Sequence, residues 1–188
     1  MVRGKKAKTA ALVHVAVCIV VSAIVPYALP QGLYAVGICK DCSVLARLAY
    51  SFFHVSLMHA LVNGWCMLSI VFVYDVTLYS LAIAYITAVT FPIDTLSDIM
   101  PCALPQGIPT VGLSAVCFSL LGQIAFQVKR KLYYQVWVLS FVAIGFILPP
   151  LCSVCGYTIA APNNILHLYC YVVGLLVGFL NSPAHEKK

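Results

Sequence analysis

Charge is what this 188-residue sequence has least of. Charged residues make up 9% of it, while 63% of its residues are hydrophobic. An average soluble domain carries roughly 25% charge. Scarcity on that scale excludes an ordinary soluble globular protein, a disordered tail and a nucleic-acid binder built on a basic surface. Acids are scarcer still. Asp41, Asp75, Asp94, Asp98 and Glu186 are the whole set, and none falls inside a long apolar run. That excludes a paired-aspartate intramembrane protease and argues against a carboxylate proton relay. No His-Glu-x-x-His string occurs, which removes one zinc-protease chemistry. Internal repeats and low-complexity segments are absent as well.

What is abundant is apolar sequence. A membrane span needs about 20 apolar residues, and six runs can be placed: 9–29, 54–73, 76–92, 110–127, 132–149 and 164–181. They predict an all-α, polytopic membrane protein, a six-transmembrane-helix bundle over 9–181. A basic tail at 1–8 precedes it and a polar tail at 182–188 follows. The first run ends near Pro26 and Pro30, and the fifth at Pro149–Pro150. Asp75 marks a short turn, and the segments 30–50, 93–109 and 151–163 read as loops. The first run has the basic start of a signal peptide. It is longer than a typical signal core and lacks a small-x-small end, so it reads as an uncleaved span.

Lysine and arginine set the orientation. Arg3, Lys5, Lys6 and Lys8 cluster at the start, Lys129, Arg130 and Lys131 in one turn, and Lys187 and Lys188 at the end. Cytoplasmic loops carry the excess of basic residues. Both termini and the 129–131 turn are therefore expected in the cytoplasm, which leaves only Lys40 and Arg47 outside. The second, fourth and sixth spans then all begin at the outer face.

Polar groups within spans are costly and mark function by default. His59, Ser114 and His167 each lie a few residues into a span that begins outside. At 1.5 Å per residue they share one layer, roughly 5–8 Å below the outer edge. Asn63 follows His59 at i+4 and shares its helix face. Ser114 is flanked by the small residues Gly112 and Ala115, which let another helix approach. A serine needs a base to become a nucleophile, and His167 is at the right depth. With no carboxylate in the layer this is a Ser–His dyad, with Asn63, His59 and the Ser114 N–H as oxyanion donors. The competing reading is that Ser114 bonds back to its own helix turn. His14 reads as an interfacial anchor or a satisfied core residue, and His54 as a structural residue bonding a loop backbone.

The string His54-x4-His59-x3-Asn63 resembles the second-span motif of the rhomboid family of intramembrane serine proteases. Gly112-Leu113-Ser114-Ala115, with Gly122 after it, is similar to their nucleophile motif, and His167 with Gly174 and Gly178 to their sixth span. The motifs stand in family order over about residues 10–181. The resemblance implies the minimal six-span form, with Ser114 as nucleophile, His167 as general base, and His59 and Asn63 lining the oxyanion hole. It further implies that His54 ties the first outer loop, that Phe118 packs on His167, and that Gly112 and Gly174 are structural. Substrates would be single-span membrane proteins, reached laterally past the fifth span and cleaved near the outer face. Residues 151–163 would act as a cap. No cofactor, metal or nucleic acid is implied, and the lipid bilayer is the other partner.

The chain departs from the pattern at Ala115, Leu166, Tyr169 and Cys170, where smaller residues are usual, and around Arg47, which lacks a preceding tryptophan and sits one residue too close to His54. Crowding at Leu166, Tyr169 and Cys170 keeps an alternative open: a catalytically weak or inactive relative that binds or routes membrane clients. A channel or transporter fits less well, because the polar groups stop in the outer layer. Nine cysteines remain. Cys39-x-x-Cys42 and Cys152-x-x-Cys155 lie in different outer loops, so a shared metal is not expected. Disulfides among Cys39, Cys42, Cys102, Cys152 and Cys155 are permitted by an outer compartment, but their pairing is not readable. Cys18, Cys66, Cys117 and Cys170 read as small packing residues. The short basic start lacks the character of an organellar transit peptide, which favours the plasma membrane or secretory pathway over mitochondria.

Overall fold

The computed structural model describes residues 3–28, 36–99, 109–154 and 163–182. Eight α-helices run through them: α1 (Arg3–Ala28), α2 (Val44–Ala49), α3 (Leu57–Val73), α4 (Leu78–Val89), α5 (Ile93–Ile99), α6 (Ser114–Ile124), α7 (Lys131–Val154) and α8 (Asn164–Leu180). A 3-10 turn, Tyr50–Phe52, follows α2. Among the described residues the extended pairing is a single bridge, Ile38 with Thr110.

The core is built around α6. Eight of its eleven residues are buried, and it packs on α8, α4 and α3. A helix apolar on all sides belongs in the interior. Three glycines bring α6 and α8 together backbone to backbone. A Cβ on Gly122 would fall 2.3 Å from the Tyr171 carbonyl oxygen, one on Gly174 2.1 Å from that of Ser119, and one on Gly178 2.5 Å from that of Gln123. On the other flank, α1 buries Ala7, Ala11, Val15 and Cys18 and lies against α3 and α4. Gly64 of α3 makes room there for Val15.

The outer surface is apolar. Trp65, Val73, Leu132, Tyr133 and Leu180 are all more than 70% exposed. Such a surface suits lipid rather than water. Helix α7 rests on the bundle by one face: Tyr134, Val138 and Val142 form one buried stripe, while Trp137, Phe141, Ile144 and Ile147 face outward. Two helical stretches, Gly4–Val25 and Leu78–Ile99, are long and apolar enough to cross a membrane, and a third if the bent pair Val44–Phe52 and Leu57–Val73 counts as one. Ser114–Ile124, Lys131–Ile147 and Asn164–Leu180 are shorter apolar helices.

Several expected boundaries are corrected. Helix α1 begins at Arg3 and so includes Lys5, Lys6 and Lys8 in its first turns. Residues 44–52, expected as loop, are helical and turn by 82° into α3. Arg47 holds them there, donating through Nη1 to the Phe91 carbonyl (3.2 Å) and pairing through Nη2 with Asp94. The segment after Pro92, also expected as loop, contains α5. The fourth run is helical only over Ser114–Ile124. Gly112 has φ +121°, which no helix contains, so the chain enters the bundle extended. Irregular backbone at this depth survives because it is covered by protein: Gly112 N–H donates to the Tyr50 carbonyl (3.0 Å) and Leu113 N–H to His54. Pro149–Pro150 does not end the fifth helix, which continues to Val154. Proline's fixed φ is itself helical, and membrane helices tolerate the lost N–H bonds.

Candidate functional site

Three helices present their first turns at one end of the bundle. His59 is the third residue of α3, Ser114 the first of α6 and His167 the fourth of α8. Each start has its own local cause. Ser56 caps α3 by accepting the His59 N–H (3.1 Å). Asn163 caps α8 by accepting the Leu166 N–H (3.0 Å), while its amide donates to Thr110 Oγ1 (3.2 Å). Helix α6 has Leu113 at its cap position and no side-chain cap. The free N–H groups of its first turn are therefore available to an anion.

Ser114 Oγ lies 2.8 Å from His167 Nε2, across the α6–α8 contact that the glycines make possible. The His167 ring stacks on Phe118, centroids 4.5 Å apart and 18° from parallel. The bulk of Leu166, Tyr169 and Cys170 does not hold the helices apart. Leu166 and Cys170 are buried, and Tyr169 turns away to pack edge-on against Phe91.

Opposite the serine stand His54, His59 and Asn63. Their meeting point is Gly112: a Cβ there would lie 3.0 Å from His59 Cε1, 3.4 Å from His54 Cδ2 and 3.5 Å from Asn63 Nδ2. Asn63 Nδ2, His59 Nδ1 and His54 Nδ1 are buried without a hydrogen-bond partner. Buried polar groups are nearly always paired, so three orphans in one place call for a reason. His54 is buried and stacks edge-on with His59. Its Nε2 accepts the N–H of Leu113 (3.1 Å), so it supports the backbone beside Ser114. Away from this group, His14 meets Ser51 Oγ at 3.2 Å and stacks on Phe52.

Ser114, His167, Phe118, Gly112, His54, His59 and Asn63 thus converge, and Gly174 lies below on the shared helix contact. Two contributors escaped the sequence reading. Asn163 is one; an Asn ahead of an apolar run is a helix-cap signal. The other is the Tyr50 carbonyl that holds Gly112, which leaves no sequence signal. Among the described residues no three His, Cys, Asp or Glu side chains cluster to hold a metal ion. A cavity of about 730 Å³ opens at the opposite end, lined by Lys6, Asp75, Thr77, Ser80, Gln123 and Gln127 among others, and takes no part in this constellation. Residues 155–162, the greater part of the expected cap, lie outside the described residues, as does Cys102.

No curated protein matches the chain. A family model, the Rhomboid domain, matches residues 42–184, about three-quarters of the sequence and all of the site. The chain is an integral membrane protein of the rhomboid family, whose members are generally intramembrane serine proteases.

Proposed function

We propose that this protein is an intramembrane serine endopeptidase that hydrolyses single-span membrane proteins near the outer membrane face. The observation that carries the reading is the 2.8 Å contact between Ser114 Oγ and His167 Nε2, beside the buried and unpartnered Asn63 amide and ring nitrogens of His59 and His54. In the reaction His167 Nε2 takes the hydroxyl proton as Ser114 Oγ bonds to the scissile carbonyl carbon. The oxyanion is met by Asn63 Nδ2, the His59 ring and the Ser114 N–H. The proton then passes to the leaving amine as the C–N bond breaks. Water, activated by the same histidine, hydrolyses the acyl-enzyme. No cofactor is required.

In this reading six spans cross the membrane between a cytoplasmic tail at 1–8 and another at 182–188. Plasma or secretory-pathway membranes are the expected setting. The basic residues support the orientation. Lys8 lies over Phe72, near the far end of α3, and Lys131 over Phe126, beyond the far end of α6. Both are thus at the end opposite Ser114. The single buried face of α7 supports lateral substrate access past that helix.

The test is a fluorophosphonate probe with cleavage of a generic single-span substrate in liposomes, wild type beside Ser114→Ala. Labelling mapped to Ser114, and cleavage lost with it, is the expected result. A folded wild type that neither labels nor cleaves several substrates would reassign the chain to client binding. Asn63→Ala separates the oxyanion role from folding. Removing one such donor lowers kcat by roughly 10²- to 10³-fold, and KM should change little.

A further inference from the structure

The Cys39-x-x-Cys42 segment has no part in the dyad, yet its geometry is specific. Cys42 N–H donates to the Cys39 carbonyl (3.4 Å), closing a four-residue turn with Lys40 and Asp41 at its centre. Asp41 has φ +58°, the left-handed position that such turns use. A closed turn keeps its end Cα atoms within about 7 Å, and a disulfide needs about 4.4–6.8 Å. Cys39 N–H also donates to Cys42 Sγ (3.4 Å), so that sulfur is already folded back over the turn. Both thiols are unlinked and partly exposed.

Helix α5 holds the turn in shape. Asp94 Oδ1 accepts the Asp41 N–H (2.8 Å), Asp94 Oδ2 pairs with Arg47, and Asp98 pairs with Lys40. A turn fixed from outside has already lost the entropy that closing a ring would cost.

From this we infer that Cys39 and Cys42 form a reversible intraloop disulfide, a dithiol–disulfide site distinct from the dyad. The oxidant is a low-molecular-weight disulfide of the glutathione class. Cys42, whose Sγ accepts the Cys39 N–H, attacks one of its sulfurs and releases one thiol. Cys39, whose thiol is pushed up by burial and by the neighbouring Cys42, then loses its proton and displaces the second thiol. Two protein thiols lose two electrons and two protons, and the small disulfide takes them up. The site sits next to the residue pairing that precedes Gly112: Ile38 N–H and carbonyl both bond Thr110 at 2.9 Å.

The test equilibrates the full-length protein, in detergent, with defined mixtures of reduced and oxidised glutathione. Free thiols are then trapped by alkylation and mapped by mass spectrometry. Cys39 and Cys42 should lose their alkylation together, within one peptide, at a midpoint independent of protein concentration, and regain it on reduction. Cys39→Ser should leave Cys42 as a mixed disulfide with glutathione. Asp94→Ala keeps both thiols and removes the acceptor of the Asp41 N–H, which loosens the turn. It should lower the equilibrium constant for ring closure about two- to tenfold, the worth of one hydrogen bond. The inference fails if both thiols remain alkylated in oxidised glutathione, or if either pairs with Cys102, Cys152 or Cys155 instead. Neither result bears on Ser114, whose labelling reports the protease separately.

Discussion

His167→Ala is expected to reduce cleavage to background while leaving the protein folded. A serine hydroxyl is a weak nucleophile without an adjacent base, and the neighbourhood offers no substitute. His54 is committed to the Leu113 N–H. His59 packs with Asn63 around Gly112, where it is placed to meet the oxyanion. No acid stands in α6 or α8. In soluble serine proteases, loss of the histidine alone lowers kcat on the order of 10⁶-fold, and an effect of that rank is expected here. Fluorophosphonate labelling of Ser114 should fall with it, because the probe needs the same activated oxygen. The structural cost is smaller: one ring stack with Phe118, worth about 0.5–1.5 kcal/mol. A modest change in Tm with complete loss of turnover is the predicted signature. Turnover within tenfold of wild type would remove His167 from the reaction.

The same residue shows why much of the site is legible in the sequence. His59, Ser114 and His167 are far apart in the chain, but each lies just inside the N-terminal end of an apolar run. Depth in a membrane is counted along a helix at a fixed rise, so alternating topology alone puts them in one layer. Lateral position carries no such rule. Nothing in the spacing says that Gly112 gathers His54, His59 and Asn63 around it, because a φ of +121° is a local event imposed by the Tyr50 carbonyl above it. The partner of His54 is hidden for the same reason: it is a backbone N–H 59 residues away.

Long elements were more legible than short ones. The apolar runs become α1, α3, α4, α6, α7 and α8, within a few residues at most ends. Helix α2 was missed because six residues make too little periodicity to read. Its stability is tertiary: Arg47 reaches Phe91 and Asp94, and Tyr85 donates to the Leu48 carbonyl. Helix α5 carries a readable start, with Pro92 before it and Asp94 in its first turn, but the prolines that follow outweigh both. In α7 the error ran the other way. A Pro–Pro pair is a strong stop in water, where the alternative is a hydrated loop, and a weaker one in a membrane protein, where helix is the least costly backbone.

Gly174→Ala should give the largest loss of stability, and its effect on catalysis follows from the same contact. The added Cβ would sit 2.1 Å from the Ser119 carbonyl oxygen and 2.9 Å from its carbon. Both are backbone atoms of a buried helix and cannot turn aside as a side chain can. Ordinary contact begins near 3.4 Å, so α6 and α8 must separate by about 1 Å or the site must deform. Overpacking a tight core costs typically about 1–3 kcal/mol, and this clash belongs at the upper end. Gly122 and Gly178 grip the same pair of helices on either side, so the strain cannot be shed by a local shift. Separation on that scale takes Ser114 Oγ and His167 Nε2 out of their 2.8 Å contact, beyond hydrogen-bond reach. A misplacement of about 1 Å can cost roughly 10²-fold in rate, so turnover should drop by about that factor even below the lowered Tm. Gly4→Ala is the control, since a Cβ there meets nothing within 4 Å. Equal Tm and equal turnover for the two variants would mean that the α6–α8 contact neither limits stability nor sets the distance between serine and histidine.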